Sequence, residues 1–146
     1  HFIVMQSIAN STDPIKTFIE TILAMLNKHN GLARLIHNEF LSGNSNLSDV
    51  FIDRFPRRMA SFIPQLVKKH TLIKEERKAK YAAFSLVTMI ITPFINKSIR
   101  QKAWQISDEE LKSPLWVDHI YQQFLFGCNN LKDSSLEPTK IRKDHE

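Results

Sequence analysis

The chain has 146 residues, enough for one domain with a substantial core. Its three glycines are too few for a glycine-rich phosphate loop or a turn-rich β protein, and a single cysteine, Cys128, excludes an intrachain disulfide. The net charge of +5 is local: Arg54 to Lys80 holds nine Lys or Arg against Glu75 and Glu76.

Helical periodicity dominates from the start. HFIVMQSIAN is a short apolar piece, too short and too poor in basic residues for a signal peptide. Beginning at His, it reads as the tail of a helix whose start is missing. Asn10 to Asp13 is a polar break in which Ser11, Thr12 or Asp13 can cap the next helix, and Pro14 suits a first turn. The stripe Ile15, Phe18, Ile19, Ile22, Leu23, Met25, Leu26 follows and ends at Asn30-Gly31. Leu32, Leu35, Ile36 and Phe40 stripe a second helix reaching about Ser42. Gly43 to Asn46 is a loop. Val50, Phe51, Phe55, Met59, Phe62, Ile63, Leu66 and Val67 continue a helical pattern to about Lys69, with a break expected near Phe55 and a kink or restart near Ile63, because Pro56 and Pro64 interrupt it.

Glu75 to about Gln101 reads as the longest helix. Between Tyr81 and Ile95 it carries no charge and is apolar on both sides. That run is too short and too interrupted for a membrane span, which needs about 20 apolar residues. One side therefore meets the chain's own core and the other a partner chain. Ser107 to Glu110 resembles a capping box, Pro114 opens the last helix, and Asn129 to Glu146 is a polar tail expected to be disordered.

GLARLIHNEFLSG, Gly31 to Gly43, resembles the middle of the effector-binding domain of TetR/AcrR-family repressors at Leu32, Ala33, Arg34, Leu35, Glu39, Leu41, Ser42 and Gly43. In that family this helix commonly follows a "D-P" helix, here Asp13-Pro14. YQQFLFG, Tyr121 to Gly127, is similar to the family's closing helix. The resemblance covers residues 1–129 and departs at Leu72-Ile73, where many relatives have a longer turn. It implies an all-α helical bundle whose two long C-terminal helices form a four-helix bundle across a homodimer, through Phe84, Thr88, Ile91, Ile95, Trp116, Ile120 and Phe124. It also implies an apolar effector among Ile22, Met25, Ile36, Phe40, Met59, Phe62, Ile63 and Trp104, in a cytoplasmic transcriptional regulator. The family's N-terminal helix-turn-helix domain is absent from this chain, so DNA binding is assigned to no residue here.

The residues themselves point to no chemistry. No two of His1, His29, His37, His70, His119 and His145 are three or four apart, so no helix offers a paired imidazole site. No nucleophile motif or phosphate loop occurs, and no enzyme activity, metal or cofactor is expected. Two alternatives stay open: a structural oligomerisation module without ligand, and a nucleic-acid-binding domain using residues 54–80. Against the second, Phe55 and Phe62 belong to the apolar stripe and do not interleave with the basic residues as a base-stacking surface requires, although weak salt-sensitive binding through Arg57, Arg58, Lys68 and Lys69 is compatible with the charge.

Overall fold

The computed structural model describes residues 2–29, 31–42 and 56–130. They form an all-helical bundle with no strand among them: α1 (Phe2–Ala9), α2 (Pro14–Lys28), α3 (Leu32–Ser42), α4 (Pro56–His70), α5 (Glu76–Ile95), α6 (Lys97–Lys102), a 3₁₀ turn (Glu110–Lys112) and α7 (Pro114–Asn129). The expected loop at Gly43–Asn46, the helical positions Val50, Phe51 and Phe55, and the tail from Leu131 lie outside the described residues.

The helix starts follow from their caps. The Asp13 carboxylate accepts from the Lys16 N–H at 3.3 Å, and Pro14 supplies the first helical position of α2 without wasting a donor. Ser113 does the same for α7, accepting from the Trp116 N–H at 3.3 Å ahead of Pro114. Ser107 and Glu110 form a reciprocal box, with Ser107 N–H donating to Glu110 at 2.8 Å and Glu110 N–H to the Ser107 hydroxyl at 3.2 Å. That box opens only the 3₁₀ turn, because Ser113 and Pro114 restart the chain three residues later.

Two prolines lie inside helices. α4 runs unbroken through Pro64, so the restart considered near Ile63 does not occur. The ring of Pro64 is buried, and the carbonyl that loses its donor belongs to Ala60, an exposed residue. Pro93 also lies inside its helix, two residues before its end. The single helix expected from Glu75 to Gln101 stops at Ile95 and turns at Asn96 before α6 begins.

Arg100 fixes that turn. Its side chain is only 6% exposed, yet every contact is matched. Nε donates to the Pro93 carbonyl at 2.9 Å, Nη1 to the Ile106 carbonyl at 2.6 Å and Nη2 to the Asp108 carboxylate at 2.6 Å. Ile106 N–H returns a bond to the Arg100 carbonyl at 3.1 Å, closing the loop around Gln105, whose φ of 54° lies in the left-handed region. Such a conformation costs a non-glycine residue roughly 1–2 kcal/mol and persists only where its surroundings hold it. Lys97 and Gln101 add bonds to Asp108 at 3.0 and 3.1 Å. Arg100 first and then Lys97 hold the Asp108 carboxyl below the usual carboxylate range.

The core is one cluster. Ile19, Ile63, Val67, Leu86, Ile90 and Ile120 are fully enclosed, each worth roughly 1.5–3 kcal/mol of transfer free energy. α5 is central to it, packing most extensively on α4 and also against α2, α3 and α7. Two polar ties close the ring of helices. The Tyr121 hydroxyl of α7 donates to the Asp13 carboxylate that caps α2, and the Leu72 N–H donates to Asn129 Oδ1 at 3.0 Å. Hydrogen bonding to Asp13, with burial and the nearby charge adding to it, pushes the Tyr121 phenol up to about 12.

Two stability measurements check these ties. Asp108→Ala strands a buried guanidinium, so urea denaturation should show a loss of about 2–3 kcal/mol, against under 1 kcal/mol for Lys97→Ala. Because the folded Asp108 is more acidic than the unfolded one, its contribution is present above about pH 4 and disappears as pH falls through the folded value. Equal losses in the two variants would mean that Arg100 does not depend on Asp108. Tyr121→Phe should cost about 1 kcal/mol, and Asp13→Ala more, because it removes a cap as well. As the folded phenol titrates higher than an unfolded one, its contribution is intact below pH ~10 and is lost towards pH 12. An ultraviolet phenolate titration should therefore lose its step near pH 12 in Tyr121→Phe.

Candidate interaction face and effector core

α5 settles which of its two apolar sides turns inward. Ala79, Ala83, Leu86 and Ile90 share one face and are buried. On the far side Tyr81, Phe84, Thr88, Ile91 and Ile95 follow one another at steps of three, four, three and four, the spacing of a helix–helix seam. Phe84 is 75% exposed and Tyr81 and Thr88 are exposed, while Ile91 and Ile95 are half-buried, packed in part against the chain's own core. The Thr88 hydroxyl donates to the Phe84 carbonyl at 3.0 Å, so its polarity is spent on its own helix and its methyl group extends the apolar row. At the N-terminal end of the row the Arg77 guanidinium lies over the Tyr81 ring, 5.3 Å from its centre.

Four of the residues expected at a partner, Phe84, Thr88, Ile91 and Ile95, therefore lie on this outer row, and Tyr81 joins them. Its position seven before Thr88 was the available signal, since it extends the same row by one turn. On α7 the expectation needs correcting. Ile120 and Phe124 are 1% and 5% exposed and pack into the chain's own core, because α7 turns that face towards α2 and α5. Trp116 is half-buried against the same core, 5.4 Å from the His119 ring. Its indole N–H is buried with no acceptor among the described residues. The large apolar side chains that α7 turns outward are Leu115 and Phe126. Phe126 borders an open depression of about 340 Å³ with Gln122, Leu125, Asn129 and Asn130.

Of the expected effector residues, Ile22, Met59 and Ile63 are buried in one cluster, with Met25 and Phe62 half-buried against it. They come from α2 and α4, which pack together. The side chains of Ile36 and Phe40 lie outside the described residues. Trp104 does not join the others: it is 73% exposed, because the chain leaves α6 at Lys102 and turns outward over Ile99.

Burial pushes the Cys128 thiol up to about 11, far from a reactive thiolate, and no group of three His, Cys, Asp or Glu among the described residues could hold a metal ion. Among the same residues no helix is long and apolar enough to cross a membrane. No protein-family model matches the chain, and neither does any curated protein or solved structure.

Proposed function

We propose that this chain is the regulatory domain of a TetR-like transcriptional repressor, which homodimerises and senses an apolar small molecule in the cytoplasm. The observation that carries the reading is the outer row of α5. Phe84 is 75% exposed, and unlike the equally open Ile3 and Leu115 it belongs to a row at 3-4-3-4 spacing, the pattern with which one helix meets another. The resemblance at Asp13-Pro14 and Gly31 to Gly43 supplies the class of protein in which such a row is a dimer face. Effector binding then alters DNA binding only through its different affinity for two arrangements of the dimer.

Sedimentation equilibrium tests the dimer. The chain should sediment as a dimer with a contact of about 1,000 Å² or more. Phe84→Glu combined with Thr88→Glu, both at exposed positions, should give a monomer with unchanged circular dichroism. A monomer at high concentration for the unaltered chain would overturn the reading.

The burial of Ile22, Met59 and Ile63 favours a second reading, a structural dimerisation module whose core holds no ligand. Thermal denaturation with a panel of apolar small molecules separates the two. A sensor should melt higher with at least one of them, since binding only the native state stabilises it. Met59→Trp should blunt that shift while leaving the dimer intact. No shift across the panel, with Met59→Trp losing about 1–3 kcal/mol to overpacking, would favour the structural module.

A further inference from the structure

α4 contains no acidic residue. Residues 56–80 hold eight Lys or Arg against two Glu, an excess of six, while the whole chain carries only +5; the remainder of the molecule is slightly acidic. The charge is therefore concentrated on α4 and the start of α5, which pack together. Arg58, Ser61, Gln65 and Lys69 recur every three or four residues on one side of α4, and all are exposed. Arg58 and Lys69, eleven residues apart, are separated by about 16 Å along the axis. At the far end Lys68 and Lys80 flank Glu76 and hold its carboxyl below the usual range, leaving a net positive cluster there. Lys74 gives one bond to the Lys68 carbonyl at 2.5 Å and keeps two further donors for a ligand.

We infer that this face of α4 and the start of α5 is a contact surface for the phosphate backbone of duplex nucleic acid, bound without regard to sequence. The α4 row consists of cations and neutral hydrogen-bonding groups, the set that contacts phosphate and sugar oxygens, and at the start of α5 Glu75 and Glu76 are each paired with a lysine, Lys78 and Lys68. About 16 Å is roughly five base-pair rises of 3.4 Å along a duplex axis, enough for the row to meet several phosphates. Phe62 is the only Phe, Tyr or Trp between Arg57 and Lys80 and packs against the core, and the exposed Tyr81 ring that follows is covered by the Arg77 guanidinium, so the α4 row itself offers unpaired bases no stacking platform. The α4 row carries no apolar side chain to enter a lipid bilayer, which disfavours a membrane surface. The inference does not rest on the dimer or on the effector: it needs only the exposed row and its charge.

Fluorescence anisotropy of the intact chain with a labelled 24-base-pair duplex tests it. Binding at 50 mM salt should be indifferent to sequence. About four phosphate contacts predict a log–log salt slope near −3.6, a loss of about 150-fold between 50 and 200 mM. Arg58→Gln with Lys69→Gln should reduce the slope by about 2 and weaken binding at least tenfold, and Lys74→Gln with Lys80→Gln should act similarly. Lys28→Gln with Lys112→Gln removes the same charge from elsewhere and should leave the slope unchanged. Equal losses in the patch and control pairs would overturn the inference, as would no binding at 50 mM salt. Tenfold tighter binding to the single strand than to the duplex would also overturn it, and so would binding to phosphatidylserine-containing vesicles in place of the duplex.

Discussion

The structure depends on a helix with more apolar surface than the bundle covers among the described residues. α5 has no charged residue from Tyr81 to Ile95, and it lies against α2, α3, α4 and α7. A bundle of this size surrounds its central helix on the side where neighbours fit closely, and here that side is set by volume. Ala79 and Ala83 let neighbouring helices approach, and Leu86 and Ile90 fill the space beyond them. The bulky Tyr81 and Phe84 would force those neighbours apart, so they turn outward. The same economy that packs the interior leaves an apolar row outside, and that row is the strongest physical reason to expect a second chain.

The C-terminal end of α5 is held by charge instead of packing. Pro93 removes a backbone donor near the end of the helix, and the chain bends at Asn96. Burying a guanidinium at such a bend is costly unless its donors are matched. Arg100 meets the condition with two backbone carbonyls and Asp108, and in doing so ties the end of α5, the loop around Gln105 and the approach to α7 into one unit. The exposure of Trp104 follows from this arrangement, since a loop closed around Arg100 turns its next large side chain outward.

Much of this was legible in the sequence where a local rule sufficed. Asp13-Pro14 and Ser113-Pro114 place helix starts because a cap and an N1 proline act within one turn. The two-sided character of α5 was equally plain from the absence of charge. What was not legible depends on neighbours. Periodicity alone could not distinguish a kink, a restart and an unbroken helix at Pro64. Ile120 and Phe124 are apolar residues on an apolar helix, and only the position of α2 and α5 shows that their face is the inner one. The role of Arg100 was hidden because its partners, Pro93, Ile106 and Asp108, supply mainly backbone oxygens, which leave no mark in side-chain patterns.

α4 is the element through which the proposed activities would meet. Its inner face carries Met59 and Ile63 into the core beside α2. Its outer face carries Arg58 and Lys69, and its length packs on α5 more extensively than any other pair of helices. An occupant beside Met59 could be accommodated by displacing α4, because the neighbours on α2 are fixed at one end by the Asp13–Tyr121 tie. A displaced α4 would move the basic row with it and press on α5, whose far side is the candidate dimer face. The helix already lacks one internal hydrogen bond at Pro64, which lowers the cost of bending at that point. Coupling of this kind needs no relay of individual contacts: it requires only that one helix, softened at one residue, forms a wall of the core and supports both surfaces.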